Sequence, residues 1–328
     1  MKNTIEKALQ KKQEALQGRD DNNTKRSEMG SIEAAAEKLN NGNNPSTTVE
    51  KQNSMTNTEV EVSSVKEAET DSGGSPSLTN TKKFFNIDLE RLEAAGFVSL
   101  ENSRTLISEE YREIKRKLLQ NAFGPLAFTI ANSNIIMVSS ARPSEGKTFN
   151  ATNLAISIAA EQDKTVLLVD ADVLKPNVMR TLGLENQNGL MEYLLGKVDD
   201  LGDVIYHTNI PKLRIIPAGQ SHHLSTELLA STVMKDTVKE FSTRYPDRVV
   251  IIDTPPLIGI NESVILANLA GQAVIVVEEG RTKLNDIKTA VERLNPDMSI
   301  GFVVNKSTNF SEKGGYYGYQ YYGHEHKE

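Results

Sequence analysis

Apolar residues along this chain follow two rhythms, and a long stretch follows neither. Short β-branched and aliphatic runs recur at 135–139, 165–170, 213–217, 249–253, 273–277 and 301–305. In Val166-Leu167-Leu168-Val169 and Val249-Val250-Ile251-Ile252 both alternating sets of positions are apolar. A strand of that kind is covered on both faces, as in a parallel sheet between helical layers. Between the runs the apolar spacing lengthens to the helical period, predicting helices over 148–161, 189–195, 226–243, 262–269 and 284–294. Strands alternating with helices predict an α/β fold, a mostly parallel sheet with helices on both faces. Two further helices precede it. One covers 87–95 and is ended by Gly96. The other covers 108–120, with Ser108 as candidate cap and Glu109 and Glu110 in the first turn, where carboxylates meet the positive end of the helix dipole.

Upstream the pattern fades. Residues 1–17 read as a short helix whose apolar stripe, Ile5, Leu9 and Leu16, is thin. Residues 18–83 are rich in Asn, Ser, Thr, Glu and Gly. They offer too little apolar surface to offset the entropy of ordering, so they read as a disordered tether, with a transient helix over 31–39. Past residue 310 the composition turns to Gly, Tyr and charge. The expected organisation is therefore 1–83, short helix plus disordered linker; 84–310, the folded domain; and 311–328, a flexible tail.

Charge and composition narrow the chemistry. A net charge of -7 over 328 residues gives no reason to expect nucleic acid, which favours a basic face. The absence of cysteine removes disulfides and thiolate metal sites. No apolar run approaches the ~20 residues of a membrane helix, and the first residues lack a secretory signal core. Any membrane association is expected to run through a partner or a surface helix.

The strongest local signal is Ala141-Arg142-Pro143-Ser144-Glu145-Gly146-Lys147-Thr148, between a strand and a helix. It fits GxxxxGK[ST] with Ala141 in place of the first glycine. A loop of this kind turns backbone N–H groups inward around a phosphate, and Gly146 permits close approach. Lys147 is expected as an exposed loop group aimed at the β- and γ-phosphates, and the Thr148 hydroxyl as a Mg²⁺ ligand. Ser144, Glu145, Gly146, Lys147, Thr148 and Phe149 form the expected nucleotide-contact set. Two other strands end in carboxylates, at Asp170-Ala171-Asp172 and at Asp253. Ligands of open α/β sheets gather at such ends. Asp172 and Asp253 are expected to hold the metal through waters, and Asp170 is the candidate base for a hydroxyl acceptor. Asp170 or Asp253 alone would read as a helix cap or a turn residue.

Of nine tyrosines, Tyr316, Tyr317, Tyr319, Tyr321 and Tyr322 cluster among glycines near the end of the sequence. Aromatics normally pack in cores. Here the readings are phosphate acceptors, an inert sticky segment or an interface peptide.

Together these pieces carry a resemblance. Residues 105–322 resemble the kinase domain of bacterial tyrosine kinases of capsule and exopolysaccharide synthesis. The matching pieces are ARPSEGKT, LLVDAD, VVIIDTPP, the tyrosine cluster, and Glu109-Glu110-Tyr111-Arg112-Glu113-Ile114-Lys115, which resembles that family's ExxRxxR oligomerisation motif. A closer likeness, through EEYREIKRKLL, NIIMVSSARPSEGKTFNATNLA, VLLVDADVLKP and YPDRVVIIDTPPL, is to the stand-alone exosortase-associated branch. Where the family has a basic residue after the second Asp, this chain has Leu174, followed by Lys175.

The resemblance implies a P-loop fold, ATP and Mg²⁺ as cofactors, and autophosphorylation in trans within a ring. It also implies control of polysaccharide polymerisation or export, activation by a separate membrane-spanning chain-length-determinant protein, and a cognate tyrosine phosphatase. The implied location is cytoplasmic, peripheral to the inner membrane through that partner. Glu109, Arg112 and Lys115, three apart on one helix face, would touch a neighbouring subunit or form a solvated charged face. By analogy with other P-loop proteins, Asn305 would contact adenine or cap its strand. The competing function is a MinD- or ParA-like positioning ATPase, a nucleotide-gated switch. Its early P-loop lysine is absent here, where Ala141-Arg142 stands.

Overall fold

Successive residues of a strand point to opposite sides, so a strand apolar at every position feeds two cores at once. The structure, a computed structural model, describes residues 83–100, 105–125 and 127–307. The expected helix over 1–17, the tether apart from Lys83, the helical patch over 31–39 and the tyrosine tail lie outside the described residues.

Among the described residues, eight strands and nine α-helices follow one another. They are β1 (Phe84–Phe85), α1 (Leu89–Ala94), α2 (Leu106–Phe123), β2 (Ile135–Ser140), α3 (Lys147–Ala159), β3 (Thr165–Asp170), α4 (Val178–Leu182) and α5 (Leu190–Leu194). Then follow β4 (Tyr206–Thr208), β5 (Leu213–Ile216), α6 (Ser225–Leu229), α7 (Thr232–Thr243), β6 (Arg248–Asp253), α8 (Asn261–Ala267), β7 (Gln272–Glu278), α9 (Leu284–Val291) and β8 (Ser299–Asn305). The sheet order is β1-β4-β5-β3-β6-β2-β7-β8. Every pairing is parallel except β4 with β5. On one face Ile136, Val138, Val166, Leu168, Val249 and Ile251 pack with α1 to α4; on the other Met137, Leu167, Val169, Val250 and Ile252 pack with α5 to α9. The α/β fold with both faces covered stands as the pattern predicts.

Several elements differ from expectation. Helix α2 begins earlier, at Leu106, because Thr105 takes the extended cap geometry and its hydroxyl accepts the Ser108 N–H at 3.3 Å. Ser108 is instead a buried first-turn residue. The single helix expected over 226–243 is two. Ser231 adopts φ -66, ψ 163, and its hydroxyl caps α7 through the Met234 N–H. Strands β1 and β4 and helix α4 are too short to show a period.

Candidate phosphoryl-transfer site

The order β3-β6-β2 brings three carboxyl ends together. The Asp170–Asp253 register pair joins the first two strands, and Asp253 pairs with Val138 on the third. The loop after β2 reaches α3 through two residues of positive φ, Ser144 (69°) and Gly146 (99°). A Cβ on Gly146 would lie 2.0 Å from Asn305 Nδ2, so only glycine fits.

Two side chains at the end of β8 hold this loop from outside. Lys306 Nζ donates to the Ser144 carbonyl at 2.8 Å, and Asn305 Nδ2 donates to the Glu145 carbonyl at 2.8 Å. In a trans peptide the N–H points opposite to its C=O. The N–H groups of Glu145 and Gly146 are thereby turned away from the clamps, and neither makes a hydrogen bond among the described residues. Consecutive N–H groups left open in this way form an anion nest. The Glu145 side chain is buried and faces away, accepting from the Arg142 N–H (2.8 Å) and the Thr282 hydroxyl. Only its backbone can serve a nucleotide, a correction to the expected contact. Arg142 forms a two-pronged pair with Asp286 on α9 (2.7 and 3.0 Å), which holds the Asp286 carboxyl below the usual range.

Lys147 opens α3 and is not an exposed loop group. Its side chain is 11% exposed, with Nζ 2.5 Å from Asp172 Oδ2 and 3.9 Å from Asp253 Oδ1. Burial opposes its charge, but Asp253 and Asp172 outweigh that and raise its pKa above the usual lysine value. The Thr148 hydroxyl donates to Asp253 Oδ2 at 2.6 Å. Asp253 Oδ1 is buried with no hydrogen-bond partner. A cleft of about 820 Å³ opens over Ser144, Gly146, Lys147, Thr148, Phe149 and Asp172.

These residues suit a hard cation held mainly by substrate and water. The orphaned Asp253 oxygen and the Thr148 hydroxyl are oxygen donors, and Mg²⁺ at phosphates needs few protein ligands. No cluster of three or more acidic, His or Cys ligands occurs among the described residues.

The AAA domain family matches residues 133–300. Tyrosine-protein kinase YwqD of Bacillus subtilis (strain 168) is 33% identical over 224 residues, covering 67% of this chain and 90% of YwqD. The chain belongs to the bacterial tyrosine-protein kinases of the P-loop class. Tyrosine-protein kinase ptk of Acinetobacter johnsonii is 30% identical over 219 residues, 66% of this chain but only 28% of that protein. The solved kinase domain of Escherichia coli tyrosine kinase ETK superposes with a TM-score of 0.56 at 27% identity, covering 75% of this chain and 89% of that domain. The chain thus spans nearly all of one relative and under a third of another.

Within this kinase family member, other expected residues take different places. Asp170 is sealed: Oδ1 accepts from the Asp172 N–H (3.2 Å), and Oδ2 from the N–H groups of Asn177 (3.1 Å) and Val178 (2.9 Å). It shapes the turn into α4 and does not face the cleft, a correction to its expected role as base. Burial, then Asp253, raises its pKa; burial likewise raises that of Asp253. Of the three carboxylates only Asp172 lines the cleft. The Asn305 amide is spent on the loop carbonyl, where an adenine contact or a strand cap was expected. Phe149 lines the cleft beside Phe97, ring centroids 4.6 Å apart.

On α2, Glu109 pairs with Arg112 at the surface. Lys115 is buried: its Nζ lies 2.5 Å from Glu161 Oε1 and donates to the Ser157 carbonyl at 2.9 Å. It fastens α2 to α3, a correction to its expected place on a subunit contact face; Glu109 and Arg112 stay at the surface. Tyr111 is buried against Asn150 (2.7 Å), with its pKa raised by burial. The five acceptor candidates, Tyr316, Tyr317, Tyr319, Tyr321 and Tyr322, lie outside the described residues.

Sequence reasoning missed Lys306, Thr282, Asp286 and Phe97. None belongs to a local motif; each reaches the loop or the cleft only through sheet order or helix docking.

Proposed function

We propose that this chain is an ATP- and Mg²⁺-dependent protein-tyrosine autokinase acting in exopolysaccharide or capsule synthesis, with the 316–322 tyrosines of neighbouring subunits as acceptors. The observation that carries this is the clamped P-loop whose Lys147, Thr148 and Asp172 line one cleft. The loop N–H groups and Lys147 would bind the β- and γ-phosphates, so Lys147 exchanges carboxylates for phosphate when nucleotide enters. Thr148, with Asp253 and Asp172 behind it, would hold Mg²⁺, which when bound neutralises charge on the transferred phosphoryl group. Asp172, the one of the three carboxylates that lines the cleft, would be the group to accept the tyrosine proton.

The switch reading is disfavoured by Arg142, which is committed to Asp286 of its own chain. No helix among the described residues is long and apolar enough to cross a membrane. A separate membrane-spanning chain-length-determinant partner, a cytoplasmic position beside it and a cognate phosphatase are proposed on the family resemblance alone. The organisation proposed is a 1–83 tether, an 84–310 kinase domain and a 311–328 acceptor tail.

The test is mass spectrometry after incubation with ATP and Mg²⁺. Phosphate is expected on the 316–322 cluster and absent in Lys147→Met. Phosphate confined to Tyr193, Tyr206 or Tyr245 would defeat the acceptor assignment, and an undiminished signal in Lys147→Met would defeat the site.

A further inference from the structure

A second cavity lies where β5 and β6 begin, at the end of the sheet opposite the P-loop. Its volume is about 200 Å³, about a quarter of the nucleotide cleft. At ~3.3 Å per residue, the six-residue β6 separates it from Asp253 by roughly 17 Å. The end of α7 closes it with Phe241, Arg244 and Tyr245.

Its charges are unevenly balanced. Glu240 pairs with Arg244 on the same helix turn, and Asp200 Oδ1 accepts the Gly202 N–H at 2.8 Å. Arg248 is 5% exposed, with its guanidinium 3.8 Å from the Tyr245 ring centroid. Arg214 sits opposite His207 in the β4–β5 register. Neither Arg214 nor Arg248 has a carboxylate at ion-pair distance among the described residues. Burial and then the Arg214 charge depress the Arg248 pKa, with Asp247 and Tyr245 offsetting part. A buried guanidinium beside a like charge is costly to maintain, and an anion between them would relieve that cost. Two arginine forks suit phosphate oxygens. Leu201, Ile205, Phe241 and Tyr245 supply the apolar and aromatic part of the remaining wall, beside Asp200, His207, Glu240 and Arg244, and the volume suits one ring with one phosphate better than a nucleotide.

We propose that this pocket binds an aryl phosphate monoester, the group a phosphorylated tyrosine carries, with Arg214 and Arg248 on the phosphate and Tyr245, Ile205 and Leu201 around the ring. The chain's own phosphorylated tyrosines as its source rests on the kinase reading above; the pocket chemistry does not. A kinase that captured its product here would hold a modified segment away from the nucleotide cleft.

The experiment uses full-length Lys147→Met protein, which supplies no phosphotyrosine of its own. A labelled peptide copying residues 314–323 with phosphate on Tyr319 is titrated by fluorescence anisotropy beside its unphosphorylated twin. Phenyl phosphate and inorganic phosphate serve as competitors. The phosphopeptide is expected to bind at least tenfold more tightly than its twin, and phenyl phosphate to compete at least tenfold better than inorganic phosphate. Arg214→Gln and Arg248→Lys are each expected to weaken binding tenfold or more; in phosphatase-treated protein that keeps Lys147, saturating Mg²⁺ and a non-hydrolysable ATP analogue are expected to leave binding unchanged. If Arg248→Lys does not fold, the half-buried Arg214→Gln decides. Equal binding of both peptides, insensitivity to Arg214→Gln, or displacement by the nucleotide analogue overturns the site. Equal competition by inorganic phosphate overturns the aryl assignment. Because the phosphate is synthetic, these outcomes are readable even if the chain proves unable to phosphorylate itself.

Discussion

Among the described residues, Lys147 is the cation paired with the buried carboxylates Asp172 and Asp253, beside Asp170. Its removal leaves Asp172 and Asp253 buried and uncompensated. Lys147→Met should lower the stability of the nucleotide-free protein by about 3 kcal/mol in urea unfolding at neutral pH. Asp170 gives a pH prediction. Burial raises its folded pKa above the unfolded value of 3.8. Between those values the folded state binds more protons than the unfolded one, so its contribution is present at low pH and lost as pH rises. The melting temperature of the nucleotide-free protein should therefore carry a falling component from about pH 4 to about pH 8, which Asp170→Asn removes. An unchanged slope in that variant would show that Asp170 is charged throughout.

At the scale of elements, β8 and α9 prepare a loop that neither contains. If Lys306 orients the Ser144 carbonyl, Lys306→Ala leaves the nest able to form but no longer pre-set, which weakens binding more than chemistry. The KM for ATP should rise about tenfold with a smaller fall in kcat, and Lys306→Arg should restore it. Equal KM in wild type and Lys306→Ala would reduce this contact to surface decoration. Helix α2 presents the opposite case, a sequence motif read as a contact face that is partly internal. Lys115→Ala loses the Ser157 carbonyl bond and a Glu161 pair that solvent partly screens, so about 1–2 kcal/mol of stability should go. Urea denaturation measures it. Lys115 was misread because its spacing from Arg112 shows only which helix face it shares. That α3 covers that part of the face is a docking fact. The break at Ser231 was missed for a local reason: the apolar spacing runs through it, while one extended residue with a capping hydroxyl ends α6 from α7.

For the whole molecule, the question is delivery of a tyrosine to a neighbour's cleft. A chain from about residue 309 to Tyr322 extends up to ~40 Å at ~3.3 Å per residue, enough to span adjoining subunits. Mixing Lys147→Met protein with an active chain whose five clustered tyrosines are Phe separates enzyme from acceptor. Phosphate should appear on the Lys147→Met chain; none there would limit transfer to a chain's own tyrosines. Five phosphates would add roughly -8 to -10 in charge, against -7 for the unmodified chain. Repulsion from the Asp172 and Asp253 end should then loosen any assembly, seen as smaller species in sedimentation after ATP treatment.

The sequence by itself determined the layered α/β fold, because strands apolar at every position have no stable place except between two helical layers. It determined the loop, too, since Gly146, Lys147 and Thr148 act through backbone geometry and reach that are local to one strand–helix turn. Only the tertiary structure decided which carboxylate faces the cleft. Asp170 and Asp172 are two residues apart on one strand end, yet three backbone N–H groups claim the first and leave the second beside Lys147. It alone brought Asn305 and Lys306 to the loop, across more than half the folded domain in sequence, because parallel sheet order is set by how whole faces pack and leaves no mark at any one position.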